Sequence, residues 1–166
     1  WQSGTSLLTP DRAEVSGNLH TNFKLSASGE LLALVAPDGT ITSRYAADGR
    51  DYPPQTTDVS YGMTPAGPRF FAPATPGSAN GAGYLGVVSQ ALISHQRGFY
   101  DAPFNVEITT DTPGAVIRYT TDGSTPSATH GTVYTAPLNI ASTTVLRAIA
   151  TLDGWKPTDV DTQTYL

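Results

Sequence analysis

The chain has no cysteine, two lysines, one methionine and no apolar run that approaches the length of a membrane-spanning helix. Each shortage excludes something. Without cysteine there is no disulfide, no thiolate metal site and no thiol nucleophile. With only Lys24 and Lys156, and a formal net charge of −5, there is no basic patch for nucleic acid. The longest apolar stretch, Leu31 to Pro37, has the length of a strand, so no transmembrane segment is expected. Charged residues make up 14%, well under the usual quarter. Helical patterning is scarce too: the best stretch, Tyr84 to Leu92, is short and carries Gly86.

What remains is period-2 alternation punctuated by 16 glycines and 13 prolines. This predicts an all-β chain of short strands. Phe23, Leu25 and Ala27 alternate with Asn22, Lys24 and Ser26. Leu31 to Ala36 and Thr40 to Ala46 read as two strands joined at Pro37-Asp38-Gly39, where proline presets φ and glycine accepts a positive one. Leu31 to Val35 is apolar on both faces, which predicts a central strand covered twice. Asp58 to Met63 reads as a short strand. Thr64 to Gly83 reads as a long extended connection anchored by Phe70 and Phe71.

The second half alternates more cleanly. Phe104, Val106 and Ile108 alternate with Asn105 and Glu107, and Thr112-Pro113-Gly114 turns the chain. In Ala115 to Thr120, Ile117 and Tyr119 share the expected inner face; Val116, Arg118 and Thr120 share the outer. Asp122-Gly123 turns and Pro126 ends pairing. Short strands follow at Val133-Tyr134 and Leu138-Ile140. Thr143 to Thr151 is the longest strand, with Leu146, Ala148 and Ala150 inward. After the Asp153-Gly154-Trp155 turn, Asp159 to Tyr165 closes the sheet. With Ile93-Ser94 this gives about seven strands with turn signals every 8–12 residues, the pattern of an Ig-like sandwich.

Two families are matched by these residues. The region from Ser94 to Leu166 resembles the chitobiase/β-hexosaminidase C-terminal domain, an Ig-like module appended to secreted bacterial enzymes and surface proteins. The resemblance rests on Gly98-Phe99-Tyr100, Val106-Glu107-Ile108, the run Pro113 to Pro126, Thr132-Val133-Tyr134-Thr135-Ala136-Pro137 and Thr144 to Ala150. The first half resembles the C-terminal part of a bacterial lamin-tail domain, also Ig-like. Its carriers are Leu19 to Ser26, Gly29-Glu30, Pro37-Asp38-Gly39-Thr40, Asp58-Val59-Ser60-Tyr61-Gly62 and Ala74 to Asn80. That family opens with strands bearing an acidic, Trp-containing motif. Here only Trp1 to Gly17 precedes the match, so the first module reads as truncated.

The expected organisation is therefore two tandem Ig-like sandwiches. Residues 1–17 form an arm, 18–83 a lamin-tail-like module, 84–92 a linker and 93–166 the chitobiase-like module. A truncated sandwich exposes edge and apolar face. The arm, with Trp1, Leu7 and Leu8, is the candidate donor strand for such an edge. Trp1 is no initiator residue, so the chain is expected to derive from a longer one, by signal-peptide removal or by deliberate trimming.

Candidate chemistry is sparse. His20, His95 and His130 sit in separate segments without ligand spacing, and no Gly-x-Ser-x-Gly elbow accompanies the many serines. Asp48 and Asp51 in Asp48-Gly49-Arg50-Asp51 read as a solvated turn or part of a calcium loop; Asp159/Asp161 is the other carboxylate pair. Lys24 on an outer face and Lys156 in a turn do not suit an isopeptide bond. No cofactor, no metal and no enzymatic activity are expected. Trp155, Tyr100 and Tyr134 are candidate glycan contacts, the alternative being that they pack over the ends of the sandwich. The expected function is a non-catalytic extracellular bacterial structural module, partnering copies of itself or other domains of a longer surface protein, with strand exchange into filaments or a surface layer as its sharper form. The alternative is a polysaccharide-binding accessory module of a secreted glycan-degrading enzyme.

Overall fold

A computed structural model of the chain describes residues 24–45 and 52–166. Trp1, Leu7, Leu8, His20 and the Asp48/Asp51 pair lie outside the described residues. The chain divides into two compact units, Trp1–Thr57 and Asp58–Leu166. No helix occurs among the described residues; every regular element is a strand, in keeping with an all-β, Ig-like fold.

In the first unit, β1 (Ala33–Val35) and β2 (Ile41–Arg44) pair antiparallel as the expected hairpin. Asp38 Oδ1 accepts from the Thr40 N–H at 2.9 Å, the Gly39 N–H donates to Ala36 O at 2.9 Å, and Gly39 has φ 90°. Hydrogen bonds from the Thr40 backbone N–H and the Thr40 side chain draw the Asp38 carboxyl below its ordinary pKa. The expectation of a central strand covered twice is overturned. Among the described residues this sheet has two strands, and Leu34 and Val35 are 66% and 52% exposed. Apolar side chains on both faces reflect composition here rather than two covering layers. The alternation around Leu25 builds no strand over residues 24–27 either: Ser26 caps a turn, its N–H donating to Glu30 Oε1 at 2.6 Å, and Leu25 is exposed.

The second unit starts with β3 (Ser60–Thr64) and β4 (Gly67–Phe71), an antiparallel pair. The extended connection expected from Thr64 onward is thus a hairpin for its first eight residues, Thr64 to Phe71. Thr64 closes it: its Oγ1 donates to Gly67 O at 2.7 Å and accepts from the Ala66 N–H at 3.1 Å. Tyr61 and Phe70 lie opposite each other with rings 5.0 Å apart, and Tyr84 bridges to Phe70. The segment expected as a linker, residues 84–92, belongs to this unit and gives Val88 and Ala91 to its core. The turn at Gly154 holds it, with Lys156 N–H donating to Gly86 O at 2.9 Å and Val88 N–H to Lys156 O at 3.0 Å.

The sandwich itself follows. Its strands are β5 (Leu92–Ile93), β6 (Phe104–Val106), β7 (Ile108–Thr109), β8 (Val116–Thr120), β9 (Thr132–Val133), β10 (Leu138–Ile140), β11 (Thr144–Thr151) and β12 (Asp161–Tyr165). One sheet runs β12-β11-β8-β9; the short pairs β5–β7 and β6–β10 stand apart from it. The run Phe104 to Thr109 splits at Glu107, which exchanges bonds with Ser94: Glu107 N–H to Ser94 Oγ at 2.9 Å and Ser94 N–H to Glu107 O at 2.9 Å. Val106 and Ile108, either side of this switch, are both buried. The core they join contains Ile93, Ile140, Leu146, Ala148, Ala150 and Tyr165, with Ile117 and Tyr119 packed against it as their alternation predicts. The outer face is drier than expected. Arg118 donates to Gly131 O at 2.9 Å and Arg147 to Thr125 Oγ1 at 2.7 Å, holding the loop after β8 against the sheet. Thr120 is buried beneath this loop, with its hydroxyl on Ser124 O at 2.6 Å.

Candidate functional site

One end of the second unit gathers His95, Tyr100, Phe104 and Tyr165 into an aromatic cluster. Residues 98–100 run parallel to the end of β12: Gly98 N–H donates to Thr164 O, Leu166 N–H to Gly98 O and Tyr100 N–H to Leu166 O, each at 3.0 Å. This fixes the backbone that carries Tyr100. The Tyr100 ring stacks on Phe104 at 4.1 Å and meets Tyr165 edge-on at 5.7 Å. Its hydroxyl donates to Gln96 O at 2.7 Å. His95 lies against Phe104 with ring centroids 4.8 Å apart, so it is a packing residue of this cluster. Tyr165 is buried beneath, donating to His95 O at 2.9 Å. Burial, reinforced by Tyr100 and Asp161, pushes its hydroxyl pKa up to about 12.

Beside this cluster is an open depression of about 140 Å³. Tyr100, Phe104 and Tyr165 supply its aromatic wall; Asp101, Ser142 and Thr143 supply oxygen atoms. Tyr100, one of its lining residues, is 36% exposed. Of the three aromatic residues singled out in the sequence, the structure places Tyr100 alone in this depression. Trp155 packs on the core beside Gly86, and Tyr134 packs on the core edge-on to Tyr119 at 6.5 Å. Asp101, Ser142 and Thr143 carry no sequence signal that distinguishes them from other turn residues. They become neighbours only when the turn after Ile140 meets the turn before Phe104 through the β6–β10 pairing.

A second cluster holds the residue types of a hydrolase triad. Ser124 Oγ donates to Asp122 Oδ1 at 2.6 Å and lies 3.2 Å from His130 Nε2. The order of the bonds is wrong for nucleophilic catalysis. A triad needs the histidine between serine and carboxylate, taking the hydroxyl proton. Here the serine is in the middle and its single proton is committed to Asp122. The Ser124 N–H also donates to Asp122 Oδ1, at 3.0 Å, which makes the motif a turn cap. These two bonds hold the Asp122 carboxyl below its ordinary pKa, with a smaller contribution from His130.

Among the described residues no three His, Asp or Glu side chains converge on a point where a metal ion would sit. Asp159 lies 4.0 Å from Lys156 Nζ, and Asp161 accepts from Gln163 Nε2 at 3.0 Å, so this carboxylate pair is engaged separately.

Comparison with curated proteins and with solved structures gives no match. Residues 95–162 match the family model of the chitobiase/beta-hexosaminidase C-terminal domain, a span that takes in the ribbon carrying Tyr100, β6 to β11 and the first two residues of β12.

Proposed function

We propose that this chain is a non-catalytic accessory module of an extracellular bacterial protein that works on glycans. In this reading residues 18–83 are the C-terminal part of a lamin-tail-like domain. The observation that carries the proposal is the match of residues 95–162 to a domain named for its C-terminal place in chitobiase and β-hexosaminidase. The bond order at Asp122, Ser124 and His130 supports it, because the one Ser-His-Asp cluster among the described residues is wired as a turn. The experiment is a turnover assay with 4-nitrophenyl β-N-acetylglucosaminide and chromogenic xylan. The expected rate equals that of buffer. Turnover that disappears in Ser124→Ala would sink the proposal.

A second reading, self-assembly by strand exchange, is favoured by one observation. The β1–β2 hairpin presents Leu34, Val35 and Ile41 at 66%, 52% and 51% exposure, on a sheet of two strands with both edges open among the described residues. Such a hairpin is marginal alone and is a template for an added strand. The arm carrying Trp1, Leu7 and Leu8 would supply that strand to a neighbouring copy, and a head-to-tail contact that does not close makes a filament. Light scattering after size exclusion is expected to show oligomers that become monomers on deletion of residues 1–9. A monomer at high concentration with the arm intact rules this reading out.

A further inference from the structure

We infer that the depression beside Tyr100 is a binding site for a single neutral pyranose residue of a glycan chain. The inference deepens the accessory-module reading and rests on it for its setting. Its physical basis is the pairing of surfaces. A pyranose presents a face of C–H groups ringed by hydroxyls, so it needs a flat apolar wall with hydrogen-bonding groups at the rim. The depression offers both. Tyr100 is clamped from three directions: by its backbone bond to Leu166 O at 3.0 Å, by Phe104 stacked at 4.1 Å, and by its hydroxyl on Gln96 O at 2.7 Å. A wall already fixed loses little conformational entropy when a ligand stacks on it. Asp101 brings an acceptor to the rim, while Ser142 and Thr143 bring hydroxyls that donate or accept.

The size of the space selects the ligand. About 140 Å³ is below the 300 Å³ or so at which pockets begin to engulf a drug-sized molecule. One six-membered sugar ring suits it, with the rest of the chain left in solvent. Phe99 provides an internal contrast. It is 86% exposed, yet it is not among the residues lining the depression. It precedes Tyr100 on a ribbon where successive side chains alternate sides. A nonspecific apolar attachment would use Phe99; the site inferred here would not.

The experiment is an amide NMR titration of the full chain with chitohexaose, cellohexaose and xylohexaose, each at millimolar concentration. Saturable shifts are expected with at least one of them, centred on residues 100–102 and 141–143. Asp101→Ala is expected to weaken that binding about tenfold or more, since the lost bond has a charged acceptor. Asp101 is exposed, so this variant leaves the core untouched. Tyr100→Ala should abolish the shifts, whereas Tyr100→Phe and Phe99→Ala should keep them. Absence of shifts with all three oligosaccharides overturns the inference. So does an unchanged titration in Asp101→Ala, or loss of binding in Phe99→Ala. Glycoside turnover would instead overturn the accessory reading, and the titration reads out independently of it.

Discussion

Leu146→Ala is expected to lower the stability of the second unit by about 3 kcal/mol, within the 2–5 kcal/mol typical of such truncations. Leu146 is completely buried at the middle of β11, which pairs with β8 on one side and β12 on the other. Removing its branched end takes away the transfer free energy of three carbons and leaves a hole. Neighbours on the same face, Ala148 and Ala150, are too small to close it. β11 cannot shift inward either, because both its edges are held by ladders. The check is differential scanning calorimetry, which separates the transitions of two units. For a unit of this size the drop corresponds to roughly 10–20 °C in the midpoint. Val116→Ala, 42% exposed on β8, is expected to change the midpoint little. An equal effect of the two would mean that the core does not lie where Leu146 points.

That contrast also shows what the sequence made legible. In β11 every second residue is apolar and small enough to pack, and glycine or proline turns bound both ends of the sandwich strands. Pattern and burial agree on the inner face because a second layer exists to receive it, while Ile149, expected outward, is buried as well. In Leu31 to Val35 the same kind of pattern misled. Apolar side chains show that a strand would gain from being covered; whether a partner layer exists depends on residues elsewhere. Leu34 at 66% exposure is the outcome where the described residues supply none. β4 was hidden for the opposite reason. Gly67 and Pro68 argue against a strand by propensity and by the missing N–H, yet the Thr64 turn sets the register regardless. At the Tyr100 depression the aromatic member was visible in the sequence. Asp101, Ser142 and Thr143 were not, since two turns about forty residues apart meet only through strand pairing.

Trp155→Ala is expected to cost about 2–3 kcal/mol, at or below the lower end for a tryptophan truncation because the side chain is only half-buried. The indole lies over Gly86 so closely that a methyl group there would come within 2.5 Å of ring atoms Cε3 and Cζ3. Gly86 is needed for this approach alone, since its φ lies outside the left-handed region. Gly86→Ala must therefore push the ring off the core or move the backbone bonded to Lys156, and is expected to cost about 1–3 kcal/mol. The two changes should not add. Once Trp155 is alanine, the methyl at position 86 enters vacated space, so the double variant should be close to Trp155→Ala alone, a coupling of about 1 kcal/mol or more. Calorimetric midpoints of the four proteins measure it. Additive losses would show that the indole does not rest on Gly86. If it does rest there, that face of Trp155 is occupied, and oligosaccharide shifts should survive Trp155→Ala while disappearing in Tyr100→Ala.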